Sequence, residues 1–420
     1  MIPTPIRHAA PRHARTPAYG PARAVYLPRL ADAVASSMAT YTVPLLVLGT
    51  TDSSSLTGVA FVLAWGPRLC TFGLAGSAVD RLGAGRVFRM AACARAVVVG
   101  LAAPVLLLVG DTAAAVVVML LAACTGFLTE FSYIAAESVG AVASREAAGG
   151  AHRVQSVLLG IDQAAALIGP AAGGVLLQWG GSSGMLAAIS GLSILSAVIT
   201  PHIRQPVPEA TPSLLRGLRS GWSTLRALPM LAYLVAGLAL SNLALGVLQA
   251  ATPVVLMKQL GQSSASVGLV WSAAAAASLL AVAGARIAID RWGLVRTGRV
   301  ASLITVAPCF ALAHADSYPA YLLLIAVFMA GDSALAVVLR TLRSSLIPAE
   351  VFGSTLSLTV LILLLPFPLA GVVMAAVAPA DLDAVITACA VLQCLGLALA
   401  FVRAGRLRPS RGKHRRAARR

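Results

Sequence analysis

The sequence predicts an all-α membrane protein: twelve transmembrane helices in two pseudo-symmetric six-helix bundles, with both termini cytoplasmic. Three observations predict it. The 420 residues are 58% hydrophobic and 11% charged, against roughly 25% charged in an ordinary soluble domain. The basic residues gather in alternate loops. An ordered set of charged and glycine-rich matches repeats about 210 residues apart. Such a composition excludes a water-soluble enzyme, a disordered chain or a nucleic-acid-binding domain as the main body. Twelve spans of about 20 residues need roughly 240 apolar positions, close to what this chain holds. Aromatics are only 5% and alternating ten-residue strands are absent from the sequence, which disfavours an outer-membrane barrel.

Taken in order, residues 1–24 hold five prolines and four arginines and read as a flexible basic cytoplasmic tail, not a cleaved signal peptide. A first bundle over 25–202 takes its spans from 25–48, 54–78, 89–110, 113–136, 154–178 and 182–201. A linker follows at 203–228. The second bundle, 229–403, takes its spans from 230–256, 264–287, 300–315, 318–339, 353–378 and 382–402. Residues 404–420 form a basic cytoplasmic tail. Each span is about long enough to cross the hydrocarbon core as a helix. In the linker, Leu214, Leu215, Leu218, Trp222 and Leu225 recur at helical spacing with Arg216, Arg219 and Arg226 between them. That pattern predicts a short amphipathic helix at the inner membrane face.

Net charge is +17, and all but two of the 32 basic residues are arginine. With the N-terminus inside, the inner loops carry Arg81, Arg86 and Arg89; Arg145 and Arg153; Arg204 to Arg226; Arg291, Arg296 and Arg299; and Arg343. The outer loops carry Lys258 against Asp52, Asp111, Asp316, Asp381 and Asp383. This asymmetry sets the orientation. Nine basic residues from Arg403 to Arg420 lie just inside the last span and suit anionic lipid head groups better than nucleic acid.

The repeat is carried by residues that are charged or conformationally special. Asp80-Arg81-Leu82-Gly83-Ala84-Gly85-Arg86-Val87-Phe88-Arg89 aligns with Asp290-Arg291-Trp292-Gly293-Leu294-Val295-Arg296-Thr297-Gly298-Arg299, and Gly58 with Gly268. Pro44 matches Pro253, and Pro170-Ala171-Ala172-Gly173 matches Pro368-Leu369-Ala370-Gly371. Duplicated units of this kind build alternating-access transporters.

On these residues the chain resembles the major facilitator superfamily over about 25–403. Gly76-Ser77-Ala78-Val79-Asp80-Arg81-Leu82-Gly83-Ala84-Gly85-Arg86 resembles that superfamily's signature between helices two and three. Val43-Pro44-Leu45, Thr51-Asp52-Ser53 and Pro67-Arg68 resemble the branch of bacterial siderophore, macrolide and drug exporters, and Ile168-Gly169-Pro170-Ala171-Ala172-Gly173-Gly174 resembles the helix-five motif of antiporters. Span four lacks the arginine that drug/proton antiporters carry there. The resemblance implies that Asp80 docks near Gly353 and Ser354 at the start of span eleven, closing the cytoplasmic side. By the repeat, Asp290 docks near the start of span five. Gly76, Gly83, Gly293, Arg81, Arg86, Arg291 and Arg296 complete this gating motif. Gly169, Pro170, Gly173 and Gly174 would let span five bend and lie against span eight.

Ionisable groups at membrane depth mark functional sites. The sequence offers Asp32, Glu130, Asp162 and Asp332, with Arg29, Arg68, Arg95, Arg286 and Arg340 as partners. In the superfamily, spans one, four, seven and ten line the cavity, which favours Asp32, Glu130, Asp332 and Asn242. Arg29 and Asp32 share a helix face. A carboxylate in an apolar cavity suits a proton carrier, and Glu130 with Asp332 is the preferred pair. The six cysteines read as small buried hydrophobes. No metal, cofactor or catalytic cluster is expected. The function expected is secondary transport: export of a small amphipathic or apolar organic molecule by a monomer, in exchange for protons.

Overall fold

The computed structural model describes residues 25–146, 151–201, 214–348 and 351–406, and these are helical with no strand among them. The two tails and most of the linker lie outside the described residues. The helices are α1 (Leu27–Thr51), α2 (Ser54–Leu82), α3 (Ala84–Leu108), α4 (Asp111–Glu146), α5 (Ala151–Ile199), α6 (Leu214–Ala227), α7 (Pro229–Val254), α8 (Ser264–Trp292), α9 (Leu294–Leu312), α10 (Tyr318–Leu346), α11 (Phe352–Leu364), α12 (Pro366–Ala376) and α13 (Leu382–Arg406). Among the described residues, ten helical segments are long and apolar enough to cross a membrane.

Two elements depart from a simple one-span, one-helix reading. Helix α5 runs through Gly181, whose φ of 63° and ψ of −172° lie outside helical space. Glycine alone takes that conformation without strain. Asp162 before it and Ser196 after it both bond to the start of α1, at Arg29 and Pro28. The chain therefore doubles back at Gly181, and α5 is two antiparallel arms. The span expected at 353–378 is conversely two pieces, α11 and α12, parted at Leu365 before Pro366. A proline there removes a donor from the helical ladder, and Asn242 Nδ2 donates to the carbonyl of Leu363 beside the break at 2.7 Å. The ninth apolar segment, read as 300–315, begins earlier, at Leu294.

The internal repeat holds in three dimensions. Helices α2 and α8 are each 29 residues long, and their ends coincide at an offset of 210. Ser53 caps α2 by accepting from Leu56 N at 3.2 Å, and Ser263 caps α8 by accepting from Ser266 N at 3.3 Å. A serine Ncap supplies an acceptor for one otherwise unpaired N–H. Gly83 and Gly293 end them with φ of 85° and 79°. The packing repeats too. In the first half α2 packs on α4, and α3 on α4 and α5; in the second, α8 packs on α10, and α9 on α10 and α13. One core lies in the first half around Met38, Val47, Leu121 and Ile189 and one in the second around Leu231, Leu238, Leu339 and Leu397, and a third joins the halves, with Leu45, Leu48 and Phe61 against Val254, Trp271 and Phe367.

The halves meet through α5 against α8 and α2 against α12. Small residues allow close approach there. A Cβ at Gly268 would lie 2.9 Å from the carbonyl carbon of Pro170, and one at Gly174 would lie 2.5 Å from the Ser264 carbonyl oxygen. Two hydrogen bonds cross this seam, Ala171 N to Ser272 Oγ at 3.1 Å and Ser264 Oγ to Gly174 O at 3.0 Å. Helix α6 sits on the second half: Leu218 and Leu225 enter its core, Gly221 faces the Ser354 backbone of α11, and Arg219, Trp222 and Arg226 face outward.

Candidate functional site

Depth along α1 separates an open end from a closed one. Arg29 to Asp52 spans about 35 Å at 1.5 Å per residue, roughly one membrane thickness. Beyond residue 40 the two halves are locked together. Tyr41 meets Trp271 with ring centroids 5.3 Å apart, and Trp65 stacks on Phe367 at 4.2 Å. Lys258 pairs with the Asp52 carboxylate and donates to its backbone carbonyl at 3.1 Å. Before residue 38 lies a cavity of about 600 Å³, lined by α1, α4 and the first arm of α5 from the first half and by Arg340 of α10 from the second. It lies at the end of the molecule where α1 begins and where the basic α2–α3 loop sits.

Two ion pairs build its floor and wall. Arg29, buried in α1, donates from Nε and Nη2 to the two carboxylate oxygens of Asp162, both at 3.0 Å. Its Nη2 also lies 3.5 Å from Glu137 of α4, and its guanidinium stands 5.0 Å from the centre of the Tyr133 ring. A forked guanidinium–carboxylate pair is geometrically specific. Deeper, Arg95 of α3 pairs with Asp32, both sealed from solvent. Arg95 also donates to Ser36 Oγ at 2.8 Å, Ser193 Oγ at 3.0 Å and Ser132 Oγ at 3.4 Å. Five side chains thus tie α1, α3, α4 and the second arm of α5 together.

Arg29 and Asp32 share a face of α1 but do not pair with each other. Each finds its ion-pair partner across the bundle, Arg29 on Asp162 and Asp32 on Arg95. Of the carboxylates singled out by sequence, Asp32 and Asp162 line the cavity and Glu130 and Asp332 are set back from it. Glu130 lies in the field of Arg68, with no ion pair within 4 Å among the described residues. Arg68 itself donates to Thr40 at 3.1 Å and lies over the Trp65 ring. Asp332 accepts from Ser241 Oγ at 3.2 Å, and Gln393 Nε2 donates to that Oγ at 2.8 Å. Glu130 and Asp332 are therefore not brought together. Asn242 serves the α11–α12 break.

Sequence reasoning passed over Tyr133 and Glu137. The signal was present: Glu130, Tyr133 and Glu137 recur at three- and four-residue intervals on one side of α4. Glu137 was masked by its nearness to the end of the apolar run.

The gating motif divides. Gly83 and Gly293 make matching left-handed turns. Arg81, Arg86, Asp290, Arg291 and Arg296 are exposed. A Cβ at Gly76 would meet nothing within 4 Å, so no described neighbour lies against that face of α2, while Ala75 beside it is buried. The Asp80 side chain, the surroundings of Gly353 and the side chains at 151–153 lie outside the described residues, and with them both docking contacts expected of the motif. In the helix-five motif, Gly169 and Gly173 face Ser37 and Thr42 of α1, while Pro170 and Gly174 face α8.

The model of the Major Facilitator Superfamily matches residues 29–371. The chain belongs to the major facilitator superfamily. It is a transporter and not an enzyme. Solved structures of the same fold include a bacterial homologue of the iron transporter ferroportin in an inward-facing state, with TM-score 0.69, 17% identity, and 90% of this chain and 97% of that one covered. A nucleoside transporter gives TM-score 0.73 and 14% identity over 92% and 99%. A bacterial homologue of the human lysosomal transporter Spinster, inward-facing and unoccupied, gives 0.65 and 14% over 91% and 97%. At these identities the likeness is one of fold. A search of curated protein sequences finds no match.

Proposed function

We propose that this superfamily member is a secondary transporter of the cell membrane that exports a small organic molecule by alternating access, in exchange for protons. One observation carries the reading: the two repeated halves are locked together at one end of the molecule and border a cavity at the other. Rocking about the α5–α8 and α2–α12 seams would exchange the sealed end for the open one. Counting α2 and the two arms of α5 separately, the chain crosses the membrane twelve times. The one-sided arginines then place the open end and both termini in the cytoplasm.

We assign the coupled proton to Asp332, whose described partners, Ser241 and through it Gln393, are uncharged. Glu130 is its counterpart in the first half. Of the amphipathic or apolar ligands expected, an amphipathic one with polar groups is favoured, because arginine, carboxylate, serine and glutamine side chains line the cavity beside alanine and leucine. The test uses acidified inside-out vesicles carrying the protein. Adding a transported solute releases trapped protons and restores the fluorescence of a quenched weak-base dye. Asp332→Asn abolishes that release while leaving solute binding intact. Solute accumulation that needs no proton gradient would overturn the coupling, and failure of a broad solute panel to move at all would overturn transport.

A further inference from the structure

Two of the charges around the cavity are fully engaged, and two keep capacity for a further partner. Arg29 is held by Asp162 through a fork, and Asp32 is neutralised by Arg95 out of reach of water. Glu137 and Arg340 remain. The Glu137 side chain is 46% exposed and touches only the already occupied Arg29, at 3.5 Å. Arg340 is exposed, has neither hydrogen bond nor ion pair within 4 Å among the described residues, and stands across the cavity within the electrostatic field of Glu137. Glu137 stands on α4 of the first half. Arg340 is the one lining residue from the second half among those described. Tyr133, one turn before Glu137, turns an exposed ring toward the same space.

Closing this cavity strips water from both remaining charges. An ion buried without a partner costs several kcal/mol. A purely cationic ligand would neutralise Glu137 and leave Arg340 bare. A purely anionic one would do the reverse, and an apolar one would serve neither. A ligand carrying both signs neutralises both walls and also ties the two halves together as they close.

We propose that the cavity takes a small zwitterion, with its ammonium group on Glu137 beside the Tyr133 ring and its anionic group on Arg340. The inference rests on the transport reading and names the substrate class of that same site. An ammonium group beside an aromatic face gains from the ring's charge distribution. A planar guanidinium suits a carboxylate in two-point contact. The cavity volume of about 600 Å³ falls in the range that holds compact polar ligands, such as amino acids and short peptides.

The experiment measures thermal unfolding of the purified full-length protein in detergent against matched probes: leucine and alanyl-leucine, their methyl esters, and their N-acetyl forms. The zwitterions raise the unfolding midpoint with concentration, and the singly charged forms need at least about tenfold more, the factor that 1.4 kcal/mol of lost affinity produces. Glu137→Gln and Arg340→Gln each weaken the zwitterion response about tenfold or more. Arg340→Lys keeps the charge and most of the response, which separates lost recognition from lost folding. Equal responses to blocked and unblocked probes, or no response to any of them, overturn the proposal. So does a pair of variants that shifts the balance of open and closed forms without altering probe preference, since Glu137 and Arg340 would then merely latch the halves. Proton release driven by a singly charged solute would also overturn it and would leave the transport reading standing.

Discussion

Replacing Arg95 by methionine tests the buried network on which the first half depends. Arg95 is fully buried and satisfies Asp32 together with three serine hydroxyls from α1, α4 and the second arm of α5. Methionine fills a similar volume but donates nothing. It would leave the Asp32 carboxylate sealed and unpaired. Removing one partner of a buried ion pair costs about 3–5 kcal/mol. The orphaned serines add little, because Ser193 Oγ also donates to the Ile189 carbonyl and Ser132 Oγ to the Thr129 carbonyl. Adding Asp32→Asn removes the stranded charge, so the double variant recovers at least about half of that loss, as expected for groups that act as one unit. The assay is denaturant unfolding of the detergent-solubilised protein for both single variants and the double. Two results would refute the reasoning: a cost for Arg95→Met below about 1 kcal/mol, or a double variant whose cost equals the sum of the singles.

Further perturbations probe the seam, the inner end of α2 and the sealed end. Gly268→Ala pushes a methyl group against the Pro170–Ala171 backbone of α5. It destabilises by about 1–3 kcal/mol, the range for overpacking, and slows transport, as unfolding and vesicle assays would show. Gly76→Ala meets open space. It leaves stability unchanged or raises it by up to about 1 kcal/mol through helix propensity, yet slows the cycle if α2 closes on the second half in the alternate state. Unchanged transport would remove Gly76 from the gate. Lys258→Gln and Asp52→Asn each loosen the sealed end. Their pair is exposed, so the effect stays below about 1 kcal/mol and appears as a few-fold gain in the form open at that end. Spin-label distances between α1 and α7 read it, and exchanging the two charges restores the original balance.

How much of this was legible in the chain depends on the range of the interaction. The all-helical class and the long apolar runs follow from local composition, since a backbone in hydrocarbon has to satisfy its own hydrogen bonds. The break at Gly181, the caps at Ser53 and Ser263 and the matched turns at Gly83 and Gly293 are likewise written in residue types at fixed offsets. The duplicated half was visible because Asp, Arg and Gly are rare in apolar sequence, so their coincidence carries information that Ala and Leu do not.

Partnership was not legible. The sequence alone placed the carboxylates and arginines within apolar helices and showed the repeat, because each depends on what a residue is and where it falls along its own helix. Only the tertiary structure decided that Arg29 belongs to Asp162, that Arg95 belongs to Asp32, and that Glu137 and Arg340 are left facing the cavity. Those pairings join residues up to 133 positions apart. They depend on how helices rotate and cross when their apolar faces pack, a many-body choice that no spacing rule along one helix contains.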